Sequence, residues 1–176
     1  MRNVPTGSMG PITYKLEEMG CKIDIMDDQR IDRKSGVVFL KAPPRLSAAE
    51  ITHTLPHPGF PTDMQAQLTA LASVASGESV IRETVFSSRI GHVGALKAMG
   101  ADIEVSADNS MITITGADKL RGATVEATDL RGGAALILAG LCAHGETCVT
   151  QSHHVERGYE TIVEDLRCLG ADVVYV

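Results

Sequence analysis

The chain has 176 residues, of which 44% are hydrophobic and only 3% aromatic, so we expect one folded domain with an aliphatic core. The formal charge of −6 argues against a general nucleic-acid-binding protein, which usually presents a basic face. The sequence has no apolar run of about 18 residues and no apolar signal region at its start, so neither a membrane span nor a secretory signal is expected.

In chain order, the first strong pattern is a repeat in residues 12–25, 92–105 and 162–175, which align without gaps. In each copy, apolar residues recur on one helical face, and a glycine follows the last of them, as at the left-handed end of many helices. An alternating apolar and polar segment comes next, with the period of a half-buried strand. Each copy therefore predicts a helix, a glycine stop and a strand.

Further helices and strands are predicted around these copies. Helices are expected at residues 63–76 and 129–144, and the second is apolar nearly all round, which predicts burial. Strands are expected at residues 37–41, 78–85, 111–115, 123–127 and 146–151. Residues 27–35 are predicted to form a hairpin loop and residues 41–47 an irregular stretch.

The repeated unit therefore has the order strand-helix-strand-helix-strand-strand, which makes the fold class α/β. Two copies are fairly complete, whereas the first begins near Arg2 without its buried helix. We expect a first unit that is truncated at its N-terminus, although an unusual natural start would give the same pattern. Chance recurrence of helix, glycine and strand is the other alternative, and three ungapped copies argue against it.

The densest irregular segment precedes the helix that is predicted to begin at Asp63. Three prolines and a glycine in residues 56–61 predict a stiff approach to this helix. Asp63 is then either an N-cap that accepts hydrogen bonds from the first turn or a general base that points into a cleft. The two interpretations are compatible, because a helix N-terminus favours the ionised carboxylate.

Arginines occupy three comparable positions. Arg131 follows Asp129 at the next predicted helix start and precedes two glycines, which is typical of either a surface arginine behind an N-cap or an anion site. Arg89 and Arg157 lie in matching loops, and Arg157 is predicted at the start of the last helix. Together these cations and Asp63 predict a polyanionic ligand beside a carboxylate, without specifying a reaction.

No metal site is expected. The adjacent pair His153 and His154 lacks a third ligand at a usual spacing. The four cysteines form no CxxC pair and no zinc pattern, and three of the four lie in apolar stretches, where buried thiols are common. These features predict a reducing, cytoplasmic setting.

Four strings carry a resemblance to a known family: HPGFPTDMQAQ (57–67), ETVFSSR (83–89), ATDLRGGAALILAG (127–140) and HVERGYE (154–160). They closely resemble the UDP-N-acetylglucosamine 1-carboxyvinyltransferase family, over nearly the whole chain. The first string also argues against the sister family that makes enolpyruvylshikimate phosphate. The resemblance implies an inside-out α/β barrel-type fold with two domains of three units each, and this chain resembles the C-terminal catalytic domain without the N-terminal domain.

The resemblance also implies an activity and its residues. The family transfers the enolpyruvyl group of phosphoenolpyruvate to the 3′-hydroxyl of UDP-N-acetylglucosamine and releases phosphate, the first committed step of peptidoglycan synthesis, with no cofactor. By matching motif, Asp63 resembles the general base, and Arg131 and Arg157 resemble the arginines that engage phosphoenolpyruvate. Backbone groups around Val85 and Phe86, and more weakly Arg89, resemble nucleotide-sugar contacts.

The chain departs from the family pattern because it lacks the upstream Lys-Asn pair and the mobile-loop cysteine. We therefore expect little turnover from this chain alone, and a missing N-terminal half as its partner. Two alternatives remain: a non-catalytic nucleotide-sugar or anion-binding module of the same fold, and an interaction domain that oligomerises through its cleft face.

Overall fold

A computed structural model of the chain describes residues 1–27, 35–86 and 88–176. The helices are α1 (Gly10–Glu18), α2 (Gln65–Ala72), α3 (Gly91–Ala98), α4 (Leu130–Cys142), α5 (His153–Glu156) and α6 (Ile162–Cys168). The strands are β1 (Lys22–Asp27), β2 (Gly36–Lys41), β3 (Thr52–His53), β4 (Glu78–Arg82), β5 (Asp102–Val105), β6 (Met111–Thr115), β7 (Thr124–Glu126) and β8 (Cys148–Thr150). Short 3₁₀ helices at Thr6–Ser8 and Thr62–Met64 precede α1 and α2.

The described strands form three small sheets. β1 pairs with β2 antiparallel, β7 pairs with β8 parallel, and the central sheet has the order β3-β4-β6-β5. Within it, Ile81 lies opposite Ile112, and Ile103 lies opposite Ile114. These four side chains are at most 1% exposed, so one face of the central sheet forms the core.

The interior is built from helices. α2 packs against α4, which also contacts α3 and α5, and seven of the eight residues of α2 are buried. The predicted burial of α4 holds for its first half, whereas Leu141 near its end is 42% exposed. The α/β fold of repeated units with helices inside is thereby confirmed.

The second unit, β3-α2-β4-α3-β5-β6, has the predicted order of elements. α1 and α3 each end before a glycine in the left-handed region, with φ of 96° at Gly20 and 93° at Gly100, and each leads into a strand. Gly170 has the same φ of 93° after α6, but residues 171–176 form no strand. The strand predicted there is wrong: β1 and β5 each pair with the next strand along the chain, and no described strand flanks residues 172–175.

Several predicted bounds are too long. The helix expected at 63–76 is α2 after a 3₁₀ turn, and the strands expected at 78–85 and 146–151 shorten to β4 and β8. β4 and β8 pair with β3 and β7, which span only Thr52–His53 and Thr124–Glu126. The residues that were expected to lengthen β4 and β8 therefore extend beyond these partner strands. The predicted hairpin loop at 27–35 lies mostly outside the described residues. None of the helices in the described ranges is long and apolar enough to cross a membrane.

Candidate functional site

A folded-back loop brings Asp63 to its position. The Leu55 amide donates to the Phe60 carbonyl at 2.9 Å, and the Gly59 amide donates to the Pro56 carbonyl at 2.8 Å. A Cβ on Gly59 would lie 2.4 Å from the Leu55 Cβ, so only glycine fits this turn. The turn buries Phe60 and leads directly into the 3₁₀ helix Thr62–Met64, so the approach to α2 is irregular, as predicted.

The Asp63 carboxylate binds two arginine side chains. Its Oδ1 accepts from Arg89 Nη1 at 2.7 Å, and its Oδ2 accepts from Arg131 Nη2 at 2.7 Å. It caps neither the 3₁₀ helix nor α2, whose N-cap positions are Pro61 and Met64 without side-chain hydrogen bonds. The N-cap interpretation of Asp63 is therefore wrong, because the 3₁₀ turn carries the carboxylate away from the amides of α2.

The charges of this cluster stabilise one another. The Arg89 hydrogen bond, with further contributions from Arg131, holds the pKa of Asp63 below its ordinary value despite partial desolvation. Burial lowers the pKa of Arg131, but the contacts with Asp63 and Tyr159 outweigh it and raise that pKa overall. Because the Asp63 side chain is still 48% exposed, its remaining lone pairs can be reached from solvent.

Arg131 extends from the first turn of α4 and is held on its other side by Tyr159. Its Nη1 donates to the Tyr159 hydroxyl at 2.9 Å, and Gln67 Nε2 of α2 donates to the same oxygen at 3.3 Å. The Arg131 guanidinium also lies 5.7 Å from the centroid of the Tyr159 ring. Asp63 and Tyr159 thus fix the guanidinium from opposite sides.

The helix end beside Arg131 is closed by its own cap. The Asp129 Oδ1 accepts from the Arg131 and Gly132 amides at 2.9 Å each, so the predicted N-cap at Asp129 is confirmed. These two amides are therefore not free to bind an anion. A Cβ on Gly133 would lie 2.5 Å from Val155, which shows that this glycine admits the close packing of α5.

Glu83 organises the neighbouring loop, and its carboxylate is nearly completely buried, with the residue 3% exposed. It accepts from Thr54 Oγ1 at 2.6 Å, Thr62 Oγ1 at 2.9 Å, the Val85 amide at 2.8 Å and the Phe86 amide at 3.0 Å. Burial raises the pKa of Glu83, but these four donors lower it more, so the net shift is downward. One buried carboxylate thus connects the end of β4, the loop after it and the turn that carries Asp63.

The loop at Val85 and Phe86 exposes side chains, whereas the resemblance implied backbone groups as the ligand contacts. Both amides donate to Glu83, so they are not available to a ligand. The side chains of Val85 and Phe86 are 40% and 54% exposed, and the Arg89 guanidinium lies 4.9 Å from the Phe86 ring centroid. The loop therefore presents apolar surface beside the arginine that binds Asp63.

Arg157 is not where the sequence placed it. The helix predicted from His153 onward divides into α5 and α6, and Arg157 follows α5 as its C-cap rather than opening a helix. A cation at a helix C-terminus is favourable, so no nearby anion is required to explain it. Arg157 is exposed, and although its backbone amide donates to the Val155 carbonyl, its side chain makes no hydrogen bond or ion pair with the described part of the chain.

His92 lies beneath the cluster, on α3, and is 1% exposed. Burial lowers its pKa to about 4, with Asp129 acting against this shift and Arg89 adding to it. Neither ring nitrogen has a hydrogen-bond partner among the described residues. His92 is therefore neutral near pH 7 and adds no competing cation beside Arg89.

The fold thus gathers Asp63, Arg89 and Arg131 into one cluster, next to Val85 and Phe86. Sequence reasoning missed Glu83, Gln67, Tyr159 and His92. Gln67, Glu83 and Tyr159 lie inside the quoted strings. For Glu83, an available signal was a charged residue at the end of a buried strand. The rings of His153 and His154 lie 4.2 Å apart, and the described ranges hold no group of three or more metal-binding side chains.

The family model and the relatives that this chain matches are all carboxyvinyltransferases. Residues 2–166 match the family model described as EPSP synthase (3-phosphoshikimate 1-carboxyvinyltransferase). The UDP-N-acetylglucosamine 1-carboxyvinyltransferase of Magnetococcus marinus is 49% identical over 90% of this chain and 36% of its own length. Enzyme 1 of that name from Caldanaerobacter subterraneus is 47% identical over 98% of this chain and 39% of its own length.

Solved structures agree with the fold. The enolpyruvyl transferase NikO from Streptomyces tendae matches with a TM-score of 0.80 and 29% identity, over 97% of this chain and 38% of NikO. EPSP synthase from Acinetobacter baumannii matches with a TM-score of 0.63 at 24% identity, over 93% of this chain and 36% of its own, which supports the fold alone. The chain thus spans between 36% and 39% of the length of these proteins. On these matches, the chain belongs to the enolpyruvyl transferase family.

Proposed function

We propose that this chain is the C-terminal catalytic domain of a UDP-N-acetylglucosamine 1-carboxyvinyltransferase, with its first unit truncated. The reaction joins the sugar 3′-oxygen to C2 of phosphoenolpyruvate, while the double bond accepts a proton at C3. Loss of a C3 proton and of phosphate from C2 then restores the enolpyruvyl double bond. The identity of 49% to one such enzyme supports the substrate pair.

The observation that carries this proposal is the half-exposed Asp63 carboxylate between two arginines, with Oδ–Nη distances of 2.7 Å on both sides. In the proposed mechanism Asp63 accepts the proton of the 3′-hydroxyl as the new C–O bond forms. Arg131 binds phosphoenolpyruvate, whose charge suits a planar guanidinium fork, and stabilises the developing charge on the departing phosphate. Arg157, whose exposed side chain has no partner among the described residues, is proposed as the second cation for the same anion.

Substrate binding would also change the pKa of the proposed general base, Asp63. In the free chain the arginines hold the pKa of Asp63 low, which makes it a weak base. A general base works best when its pKa approaches the working pH. An anion that draws the arginine charges toward itself would raise the pKa of Asp63, so the base would strengthen only when phosphoenolpyruvate is present.

The nucleotide sugar is proposed to lie along the loop at Val85 and Phe86. The amides of this loop already bind Glu83, and the Phe86 carbonyl accepts from the Arg89 amide at 3.1 Å, so the contacts that the loop offers are its exposed apolar side chains. Arg89, which contacts both Phe86 and Asp63, would then lie between the sugar and the base.

The test is phosphate release from phosphoenolpyruvate and UDP-N-acetylglucosamine. We expect little release by this chain alone and restored release after addition of the part of the Magnetococcus marinus enzyme that it does not cover. The matched control is the same mixture with Asp63→Asn, which should stay inactive. Steady release by the chain alone, or no release from a mixture that binds both substrates, would contradict the proposal, and the second result would favour a binding module.

A further inference from the structure

Tyr159 contacts Arg131, but the mechanism proposed above gives it no role. It lies in the turn between α5 and α6, where its amide donates to the Val155 carbonyl at 3.0 Å. Val155 is 1% exposed and packs against Gly133 of α4. The turn therefore holds the Tyr159 side chain beside the first turn of α4, from which Arg131 extends.

Two side chains donate hydrogen bonds to the Tyr159 hydroxyl oxygen. Arg131 Nη1 donates at 2.9 Å, and Gln67 Nε2 donates at 3.3 Å. Guanidinium and amide nitrogens are donors and not acceptors, so Tyr159 is the acceptor in both bonds. The two bonds occupy the lone pairs of the oxygen and leave the hydroxyl hydrogen as the group that Tyr159 can still offer.

This hydroxyl hydrogen has no acceptor within the described ranges, where Tyr159 only accepts. Tyr159 is partly exposed, so an acceptor from outside the chain can reach it. Because Arg131 is cationic, the hydrogen bond that it donates polarises the hydroxyl and makes its hydrogen a stronger donor. Tyr159 therefore presents a polarised O–H group that suits an anion.

Gln67 determines where this hydrogen points. The residue is 6% exposed on α2, and its Oε1 is buried without a hydrogen-bond partner in the described part of the chain. With Nε2 facing the hydroxyl, the hydrogen must point away from Gln67. A turned-over amide would instead accept the hydrogen through Oε1 and leave no donor for a ligand. The orientation in the structure therefore favours a ligand contact, and the opposite one would make Tyr159 only a support for Arg131.

An anion bound to Arg131 would lie next to this hydroxyl. The guanidinium has five N–H groups, of which one donates to Asp63 and one to Tyr159, so three remain for a ligand. Arg157, proposed above as the second cation for the same anion, lies two residues before Tyr159 in the chain. An anion between the two arginines would therefore border the Tyr159 side chain.

We propose that the Tyr159 hydroxyl donates a hydrogen bond to an oxyanion of phosphoenolpyruvate at Arg131, which makes Tyr159 a further substrate-contacting residue. The identity of the anion rests on the proposed function, whereas the available O–H group rests on the hydrogen bonds of this chain. A hydrogen bond to an ionised acceptor is about twice as strong as a neutral one. The hydroxyl should therefore contribute measurably to the affinity for the anion.

The test is an NMR titration of the 176-residue chain with phosphoenolpyruvate, with ¹³C at the ζ carbon of its tyrosines. Tyr14 and Tyr175, which are 65% and 53% exposed, are the other two tyrosines and serve as internal references. We expect the Tyr159 signal to move while the references stay. Tyr159→Phe should weaken binding about tenfold, because it removes a hydrogen bond to a charged group. Tyr14→Phe is the matched control and should leave the Kd unchanged.

An unmoved Tyr159 signal, or equal affinity in Tyr159→Phe, would overturn the proposal. A double-mutant cycle with Arg131→Lys then separates direct contact from a role through Arg131, with affinities taken from the initial slopes of the titrations. A hydroxyl that contacts the anion itself should give about the same tenfold loss in both backgrounds. If the loss disappears in the Arg131→Lys background, Tyr159 only holds the guanidinium and the proposal fails.

Phosphate release tests the proposed function separately. In the mixture with the remaining part of the Magnetococcus marinus enzyme, Tyr159→Phe should raise the KM for phosphoenolpyruvate by about tenfold and leave that for the nucleotide sugar unchanged. Turnover with an unchanged KM for phosphoenolpyruvate would overturn the role of Tyr159 alone. Anion binding that depends on the Tyr159 hydroxyl, without turnover in the mixture, would support that role and contradict the activity.

Discussion

The junctions at Asp63 and Asp129 occupy equivalent positions in two units, yet the two carboxylates bind different kinds of hydrogen-bond donor. Both aspartates follow a threonine and precede the inner helix of their unit. Asp129 has extended backbone and caps α4 through two amides, whereas Asp63 lies in a 3₁₀ turn and binds only the side chains of Arg89 and Arg131. A carboxylate that is satisfied locally stabilises its helix, and one that is satisfied only by distant side chains is available for chemistry.

The sharpest test of this difference is Asp63→Asn in the completed enzyme, which keeps the size of the side chain but removes the base. We expect kcat to fall by about 10²- to 10⁴-fold, the usual contribution of a general base. Asp129→Asn is the matched control, because asparagine caps helices as well as aspartate does. Similar kcat losses in both variants would contradict the division of roles.

The next largest effect is expected for Arg131→Lys, which keeps the charge but loses the planar fork that contacts both Asp63 and Tyr159. The KM for phosphoenolpyruvate should rise by about 10- to 100-fold, since a hydrogen bond to a charged group contributes about 1.5–3 kcal/mol. The KM for the nucleotide sugar should change much less. Arg121→Lys, an exposed site on no helix or strand, provides the control, and a larger effect on the sugar would refute the assignment.

Glu83→Gln tests the link between the two loops of the Asp63 junction. An amide cannot accept all four hydrogen bonds, and one donor left without a partner costs about 1–3 kcal/mol. We therefore expect the free energy of unfolding, measured by urea titration, to fall by about that amount. The amides of Val85 and Phe86 should also exchange their hydrogens with solvent faster than in the unchanged chain. Glu126→Gln, at an exposed strand position, should leave both unchanged.

A smaller effect distinguishes the caps. Asp129→Ala should lower the free energy of unfolding by about 1 kcal/mol, because it removes the N-cap of α4, and Asp129→Asn should keep most of that stability. Thermal or urea unfolding of the isolated chain measures both. Equal losses in the two variants would indicate that Asp129 acts through its charge rather than as a cap.

The smallest effect is expected on the pH dependence of stability. The folded pKa of Glu83 is lowered, so its contribution is fully present above its unfolded value of about 4.3 and is lost as pH falls through the folded value. The difference in unfolding free energy between the unchanged chain and Glu83→Gln should therefore shrink below about pH 4. A difference that stays constant down to pH 3 would show that the lowered pKa is not linked to folding.

The sequence predicted the local elements well because their signals are local. Helical periodicity followed by glycine located the ends of α1, α3 and α6, and Asp129 was correctly expected as an N-cap. The errors arose where a neighbour decides the outcome. The strand at residues 172–175 does not form without a flanking strand, and Arg157 ends a short helix instead of opening a long one.

By itself the sequence determined the repeat, the α/β class, the family and the residue types that an anion site needs, since periodicity, glycine positions and charge are properties of the chain in order. Only the tertiary structure decided that Asp63 bridges Arg89 and Arg131, which are 26 and 68 residues away. It also decided that Glu83 accepts hydrogen bonds from the amides of Val85 and Phe86. The Asp63 contacts depend on how the 3₁₀ turn before α2, the loop after β4 and the first turn of α4 meet in the fold. No spacing along the chain encodes the distance between side chains on different elements.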